Sequence, residues 1–414
     1  MIIVLCEKSD KDIANAIAQD IAKEYSRLEI YIRLAEEGNK WDRKHAWDDL
    51  LIVLYNRTEY SESGKALIHQ YIRETDEKGF ILPVARYKEN KNPPEPISGI
   101  KAMIYDATEP DEALKKITRR VGAMMGLRLR NYDSKIFISY RATDGSRVAQ
   151  QVSDFLRLYG FQTCLDEARD PDGENKIQAG KSVQAEIEKN LTQANLVLLI
   201  DTPDAPNSKW IQKEIEIALS EGIPIYPLYI RLAGDHRCKP RFNALANLSR
   251  WWQIDTDLTT PLSQNILDSL LKEIEYYLQE IYRRKLKVPY IVKQELEQYG
   301  FDWNPVVGEK NLYEAIKQKR DLRNLEIKWR ILSQCSIFDE IYEPDLIAFA
   351  DFIRREGCGH KANFKFFIYD GKILSVPEIE TMVNPNNDFL IMIHNQELRS
   401  FLSFLPSHFG RLLP

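Results

Sequence analysis

The sequence predicts an α/β protein made of two doubly wound parallel sheets in tandem, followed by a third α/β unit. Three observations carry that prediction. The middle third alternates short apolar runs with helical patterns, the signature of a parallel sheet with crossover helices. The first 126 residues repeat the same order of elements, and the pattern changes from about residue 286. A chain of 414 residues is also too long for one core of ordinary size.

In the middle segment, 133–285, KIFISY (135–140) is the first strand. A helix follows through Val148, Val152, Phe155 and Leu156, and Gly160 stops it. FQTCLD (161–166) is the second strand, and a polar stretch with Pro171, Gly173 and Gly180 is a loop. SVQAEIEKNLTQA is a helix, and NLVLLI (195–200) is apolar enough for a central strand. SKWIQKEIEIAL (208–219) places Ile211, Ile215, Ala218 and Leu219 at i, i+4, i+7 and i+8, a buried helical stripe, with Trp210 and Glu214 together on a neighbouring face. IPIYPLYI (223–230) and RWWQIDT (250–256) are the fourth and fifth strands, and a helix runs from about Pro261 to Arg284. Its Leu267, Leu270, Leu271, Ile274, Leu278 and Ile281 make a face that covers the sheet or contributes to a contact.

The first segment, 1–126, answers element by element. IIVLC matches KIFISY, LEIYIR matches FQTCLD, LLIVLY matches LVLLI, and AMIYDAT matches WWQIDT. FILPVA matches IPIYPL with its proline in the same place. One order of elements used twice points to a duplicated domain. In the third segment, 286–414, the stretch 311–355 reads as helix-rich, on Leu312, Ile316, Leu322, Leu325, Ile327, Trp329, Ile331 and Leu332. It precedes two strand-like runs, FKFFIYD (364–370) and DFLIMIHN (388–395), and no catalytic signature appears there.

Composition narrows the function. With 44% hydrophobic and 29% charged residues the chain has the make-up of a soluble globular protein, and no apolar run reaches bilayer length. The opening MIIVLC lacks the basic lead and the length of a signal peptide, so a cytoplasmic location is expected. Five cysteines, at positions 6, 164, 238, 335 and 358, have no regular spacing and read as reduced thiols. A net charge of -5 supplies no general attraction to nucleic acid or anionic lipid.

In a doubly wound sheet, ligands collect beyond the carboxyl ends of the strands. In the middle segment that rule selects Tyr140 and Arg141 after the first strand, Asp166 and Glu167 after the second, and Asp201 after the third. Trp210 and Glu214, on the helix that follows, join them.

FISYR (137–141), CLDEA with QAGKS after its loop, and SKWIQKEIEIAL ahead of IPIYPL together resemble the Toll/interleukin receptor, or TIR, domain over about residues 133–282. The resemblance implies tandem flavodoxin-like sheets, and a hydrolase acting on NAD+ as substrate with no cofactor and no metal. In that family the acid of the W-x-x-x-E pattern is catalytic, which is Glu214 here. The chemistry agrees: nicotinamide leaves as the neutral base of a pyridinium, so it needs no general acid. One carboxylate suffices to stabilise an oxocarbenium-like sugar. Trp210 then packs on a ring of the dinucleotide or is wedged against a loop. Arg141 pairs with pyrophosphate or forms a surface ion pair, and Asp166 binds a ribose hydroxyl or caps a turn. Tyr140 belongs to the same substrate-binding set.

The resemblance further implies self-association, conditional activation of the kind bacterial defence proteins use, and a sensor or partner-docking role for 286–414. Linear and cyclic ADP-ribose products share one transition state, and sequence does not separate them. One departure is Gln178, where many active relatives have glutamate; Glu167, Asp170, Asp172 and Glu174 lie in the same long loop. In the first segment the counterpart of Glu214 falls at Ile68, His69 or Gln70, none acidic, and the first strand leads into Cys6-Glu7-Lys8. That segment is therefore expected to be TIR-like and non-catalytic. The alternative for the whole chain is a non-catalytic adaptor that assembles with other TIR proteins. His236 with Cys238 and Cys358 with His360 make a poor zinc frame, and Cys164 has no histidine near it in the motif set.

Overall fold

The computed structural model describes residues 2–25, 28–37, 50–56, 60–75, 79–90, 92–128, 135–165, 189–220, 223–235, 241–245, 251–306, 312–320, 326–336, 364–369, 390–394 and 397–400. The chain divides into two compact units, residues 1–219 with 223–282, and residues 283–414 with 220–222.

The first unit holds two parallel sheets. One is built from β1 (Ile2–Cys6), β2 (Ile30–Leu34), β3 (Leu50–Tyr55), β4 (Phe80–Ala85) and β5 (Met103–Ile104), in the order β2-β1-β3-β4-β5. Helices α1 (Lys11–Glu24), α2 (Glu62–Glu74) and α3 (Pro110–Leu127) accompany it. The other contains β6 (Lys135–Ser139), β7 (Gln162–Leu165), β8 (Ala194–Asp201), β9 (Ile225–Arg231) and β10 (Trp252–Asp255), in the order β7-β6-β8-β9-β10. Its helices are α4 (Ala142–Leu158), α5 (Lys209–Ser220) and α6 (Gln264–Gln298). Both sheets thus have the flavodoxin-like order 2-1-3-4-5. β3 and β8 are buried at every position, which is why their sequences are apolar without alternation.

The repetition extends to residue register. In the first sheet Leu5 lies beside Val53, and Val53 beside Pro83; in the second Ser139 lies beside Leu199, and Leu199 beside Pro227. In both, the fifth strand begins one residue past the proline, opposite Val84 and Leu228, so a residue without an N–H sits where that strand has not yet joined. Helices α2 and α5 also correspond. The hydroxyls of Ser61 and Ser208 accept the N–H groups of Gly64 and Ile211 at the helix starts, at 3.3 and 3.4 Å. Counted from these caps, Gly64, Leu67, Ile68 and Tyr71 are buried at the same steps as Ile211, Glu214, Ile215 and Ala218. The counterpart of Glu214 is therefore Leu67, one place before the three positions expected from sequence. Matching the strands alone left the gap free to slide, and the serine cap removes that freedom.

The two halves of this unit pack through α1 and α3 against α4 and α6, with approximate two-fold reciprocity. Tyr25 closes α1, accepts the Gln279 side-chain N–H at 2.8 Å and meets Tyr282 edge-on at 5.3 Å. Tyr159 closes α4 in the same way; Arg120 of α3 donates to its carbonyl at 3.3 Å and lies 5.0 Å above its ring. Between these tyrosines Glu275 joins Arg120 and, at 2.9 Å, Arg119. Residues Arg120 to Leu127 of α3 are all buried, so this helix end has no solvent face. A Cβ on Gly126 would stand 2.2 Å from the Leu278 carbonyl oxygen, so only glycine permits this approach.

Helix α6 is longer than its sequence predicts, running to Gln298 with Pro289 inside it. Val288, Val292 and Leu296 continue a buried stripe at every fourth position, and that burial outweighs the hydrogen bond the proline removes. Among the described residues no helix is long and apolar enough to cross a membrane.

The second unit contains a mixed sheet of β11 (Asp302–Pro305), β12 (Leu312–Arg320), β13 (Glu326–Ser336), β14 (Phe364–Tyr369) and β15 (Leu390–His394), in chain order. β11, β12 and β13 run antiparallel, and β13, β14 and β15 parallel. The two strand-like runs of the sequence are β14 and β15. The helical reading of 311–355 is corrected for 312–320 and 326–336, which are strands. Ile327, Trp329 and Ile331 alternate with Glu326, Lys328 and Arg330, a period of two that resembles a helical stripe only when both strands are read as one segment. Residues 337–363 lie outside the described residues.

Candidate functional site

Of the residues selected from sequence, Tyr140 and Arg141 follow the carboxyl end of β6, Asp201 ends β8, and Trp210 and Glu214 lie on α5. The serine-capped start of α5 turns Ile211, Ile215 and Ala218 into the core beside Phe137, Val197 and Leu199. That orientation leaves Trp210 41% exposed on the first turn and carries Glu214, one turn later, to 3% exposure. Glu214 is thus no solvated helix residue. Its Oε2 accepts the hydroxyl of Ser139, the fully buried last residue of β6, at 2.6 Å. That length suits a hydroxyl donating to an ionised carboxylate.

Tyr140 and Arg141 follow directly. Arg141 starts α4 through its carbonyl, which accepts the Gly145 N–H at 2.8 Å. Its guanidinium lies 3.0 Å from Asp204 and 4.0 Å from Asp144, forming the ion pair that was one of its two expected roles. Gly145 is packed between Tyr140 and Thr202, since a Cβ there would come 3.3 Å from the Tyr140 Cβ and 3.6 Å from the Thr202 Cγ2. The Thr202 hydroxyl and Asp144 Oδ1 are buried and have no hydrogen-bond partner among the described residues. Such atoms are expected to be satisfied by water or by a ligand.

Asp201 ends β8 fully buried and faces Arg241, whose N–H donates to its carboxylate at 2.8 Å and whose guanidinium reaches its carbonyl at 2.7 Å. Arg241 also holds Asp235 at 2.7 Å and lies 4.3 Å over the Tyr229 ring. Burial, then the hydrogen bond to Asp235, pushes the Tyr229 phenol above its ordinary value. This network braces the segment after β9, and Asp201 serves it directly.

Sequence reading missed Ser139, Thr202, Asp204 and Arg241. A serine ending the apolar run KIFIS was the available signal for Ser139; Arg241 had none, because its buried partner Asp201 lies 40 residues away. Asp166, Glu167, Asp170, Asp172, Glu174, Gln178 and Gly180 lie outside the described residues, as do His236, Cys238, Cys358 and His360. Cys164 is half-buried and packs on the core of the second sheet. Among the described residues no group of three or more His, Cys, Asp or Glu side chains is placed to hold a metal.

The model of the TIR domain family matches residues 136–265. This segment is a TIR domain. The TIR domain therefore contains Ser139, Tyr140, Arg141, Trp210 and Glu214. A protein from Drosophila melanogaster, "NAD(+) hydrolase sarm1", is 30% identical over 127 residues, covering 27% of this chain and 9% of the fly protein. The chain thus spans less than a tenth of that relative's length. Solved structures with partial overlap include a putative phosphosugar isomerase from Silicibacter pomeroyi, with 10% identity, a TM-score of 0.20, and coverage of 68% of this chain and 85% of that one. Another is the C-terminal domain of glucosamine-fructose-6-phosphate aminotransferase from Francisella tularensis, with 9% identity, a TM-score of 0.19, and coverage of 68% and 84%. Overlaps at these TM-scores imply nothing about function.

Proposed function

We propose that the TIR domain, residues 133–285, hydrolyses NAD+ to nicotinamide and an ADP-ribose product, with Glu214 as its catalytic carboxylate. The observation that supports this most is the position of Glu214: buried, oriented by a hydroxyl, and at the strand ends where such sheets bind ligands. The bond from the ribose C1′ to the pyridinium nitrogen breaks with its electron pair going to nitrogen, so nicotinamide departs neutral. Positive charge then grows on C1′ and the ring oxygen, and an adjacent carboxylate stabilises it. Water adds to C1′ and releases a proton. Trp210 offers a ring for stacking, Tyr140 a second contact, and Arg141 a guanidinium for the pyrophosphate once exchanged from Asp204. Thr202 and Asp144 are open to hydrogen bonding with the substrate.

The first half is proposed to be a TIR-like domain that does not catalyse. Strand register puts Leu5 where Ser139 stands, and the helix caps put Leu67 where Glu214 stands, so two buried leucines replace the hydroxyl and the acid. The equivalents of Asp144 and Thr202 are Asp10 and Asn56, which bond to each other at 3.0 Å, with Arg86 on Asp10 at 2.8 Å. That rim is closed by its own side chains.

Activation by assembly of TIR domains, in a cytoplasmic stress or anti-phage response, extends this reading, with 286–414 as the partner-docking element. The test is nicotinamide release by the full chain, concentrated with a crowding agent, beside Glu214→Ala and Glu214→Gln. Release by wild type and its loss in both variants is expected. Equal turnover by all three removes Glu214 from the reaction; silence of the wild type leaves only an assembly role.

A further inference from the structure

We infer that Ser139 is a positioning residue for Glu214, its hydroxyl fixing the orientation of the carboxylate toward the sugar. This rests on the proposed NAD+ hydrolysis. Glutamate has three side-chain torsions, and a carboxylate free to turn about them would lose both aim and entropy on binding. Ser139 removes that freedom. It is the last residue of β6, and its backbone is held in register opposite Leu199 of the neighbouring strand. Its side chain shares a sheet face with Phe137, two residues back, and that face packs on Ile211 and Ile215 of α5. The hydroxyl therefore rises from a rigid strand toward a rigid helix and ends 2.6 Å from Oε2. A site held by regular elements is more exact than one held by loops.

The repeat supplies an internal comparison. Where the first half has no acid at this helix position it also has no hydroxyl at the paired strand position; Leu5 and Leu67 both belong to its apolar core. Hydroxyl and acid are present together in one copy and absent together from the other. Burial explains why they belong together, because a carboxylate at 3% exposure without a donor is strongly disfavoured. A serine fits the geometry, because its short hydroxyl reaches Oε2 from the strand end and itself brings no positive charge to the carboxylate.

The test compares Ser139→Thr with Ser139→Val in the full chain. These side chains have nearly the same shape, and only threonine keeps the hydroxyl. For Ser139→Val, kcat for nicotinamide release is expected to fall about 10- to 100-fold with KM for NAD+ within about 2-fold of wild type. Ser139→Thr is expected to recover most of that loss. A role limited to folding would lower the melting temperature of both variants and would not separate them by kcat. Equal kcat in the two variants, with Glu214→Ala inactive, overturns the role of Ser139 and leaves the hydrolysis intact. Full activity in Glu214→Ala, or no release by wild type, overturns the hydrolysis and this inference with it.

Discussion

Glu275 offers the sharpest test of how the two halves of the first unit are joined. Its carboxylate lies between Arg119 and Arg120, with side-chain exposures of 3% for Glu275, 13% for Arg119 and 3% for Arg120. Glu275→Ala removes the carboxylate from two largely buried guanidiniums. At about 3 Å and an effective dielectric constant of ~20, each lost contact is worth roughly 5 kcal/mol before desolvation is subtracted. Breaking a buried pair by removing one partner typically costs about 3–5 kcal/mol net. At about 2 °C per kcal/mol for a unit of this size, the melting temperature should fall about 6–10 °C. Arg119→Ala, which leaves Glu275 paired with Arg120, should cost less. The assay is thermal unfolding followed by circular dichroism at neutral pH and moderate salt. A shift under about 2 °C for Glu275→Ala would mean that water reaches this cluster and that apolar packing alone joins the halves.

Further predictions concern packing and pH. Gly126→Ala should destabilise by about 1–3 kcal/mol or more, because the new Cβ collides with the Leu278 carbonyl; Gly99→Ala, with nothing within 4 Å, is the neutral control in the same melts. The Thr260 amide and hydroxyl, then the Thr259 amide, hold the exposed Asp257 carboxyl at about 2, below its ordinary 3.8. A depressed acid contributes stability above the unfolded value and loses it as pH falls toward the folded one. The melting-temperature gap between wild type and Asp257→Asn should therefore be constant above pH 4 and close between pH 4 and pH 2. A gap that persists at pH 2 would exclude this linkage.

Several elements were legible before any coordinates. The strands of both sheets, the α5 stripe and the matched prolines of β4 and β9 follow from local patterns, because a buried parallel strand must be apolar throughout and an amphipathic helix must repeat every 3.6 residues. Local pattern failed in the second unit, where two alternating strands read as one helix, and at Pro289, where tertiary burial carried α6 past a residue that usually ends a helix.

Sequence by itself determined the order of elements, their repetition, and the W-x-x-x-E pair that brings Trp210 and Glu214 onto one helix face. Only the tertiary structure decided which hydroxyl meets that acid, which aspartate holds Arg141, and that Leu67 rather than a later residue stands in the place of Glu214. The reason is the range of the forces involved. Periodicity and capping act within a few residues and are written in the local sequence, whereas Ser139 and Glu214 are 75 residues apart and meet only after β6 and α5 are packed on one face of the sheet.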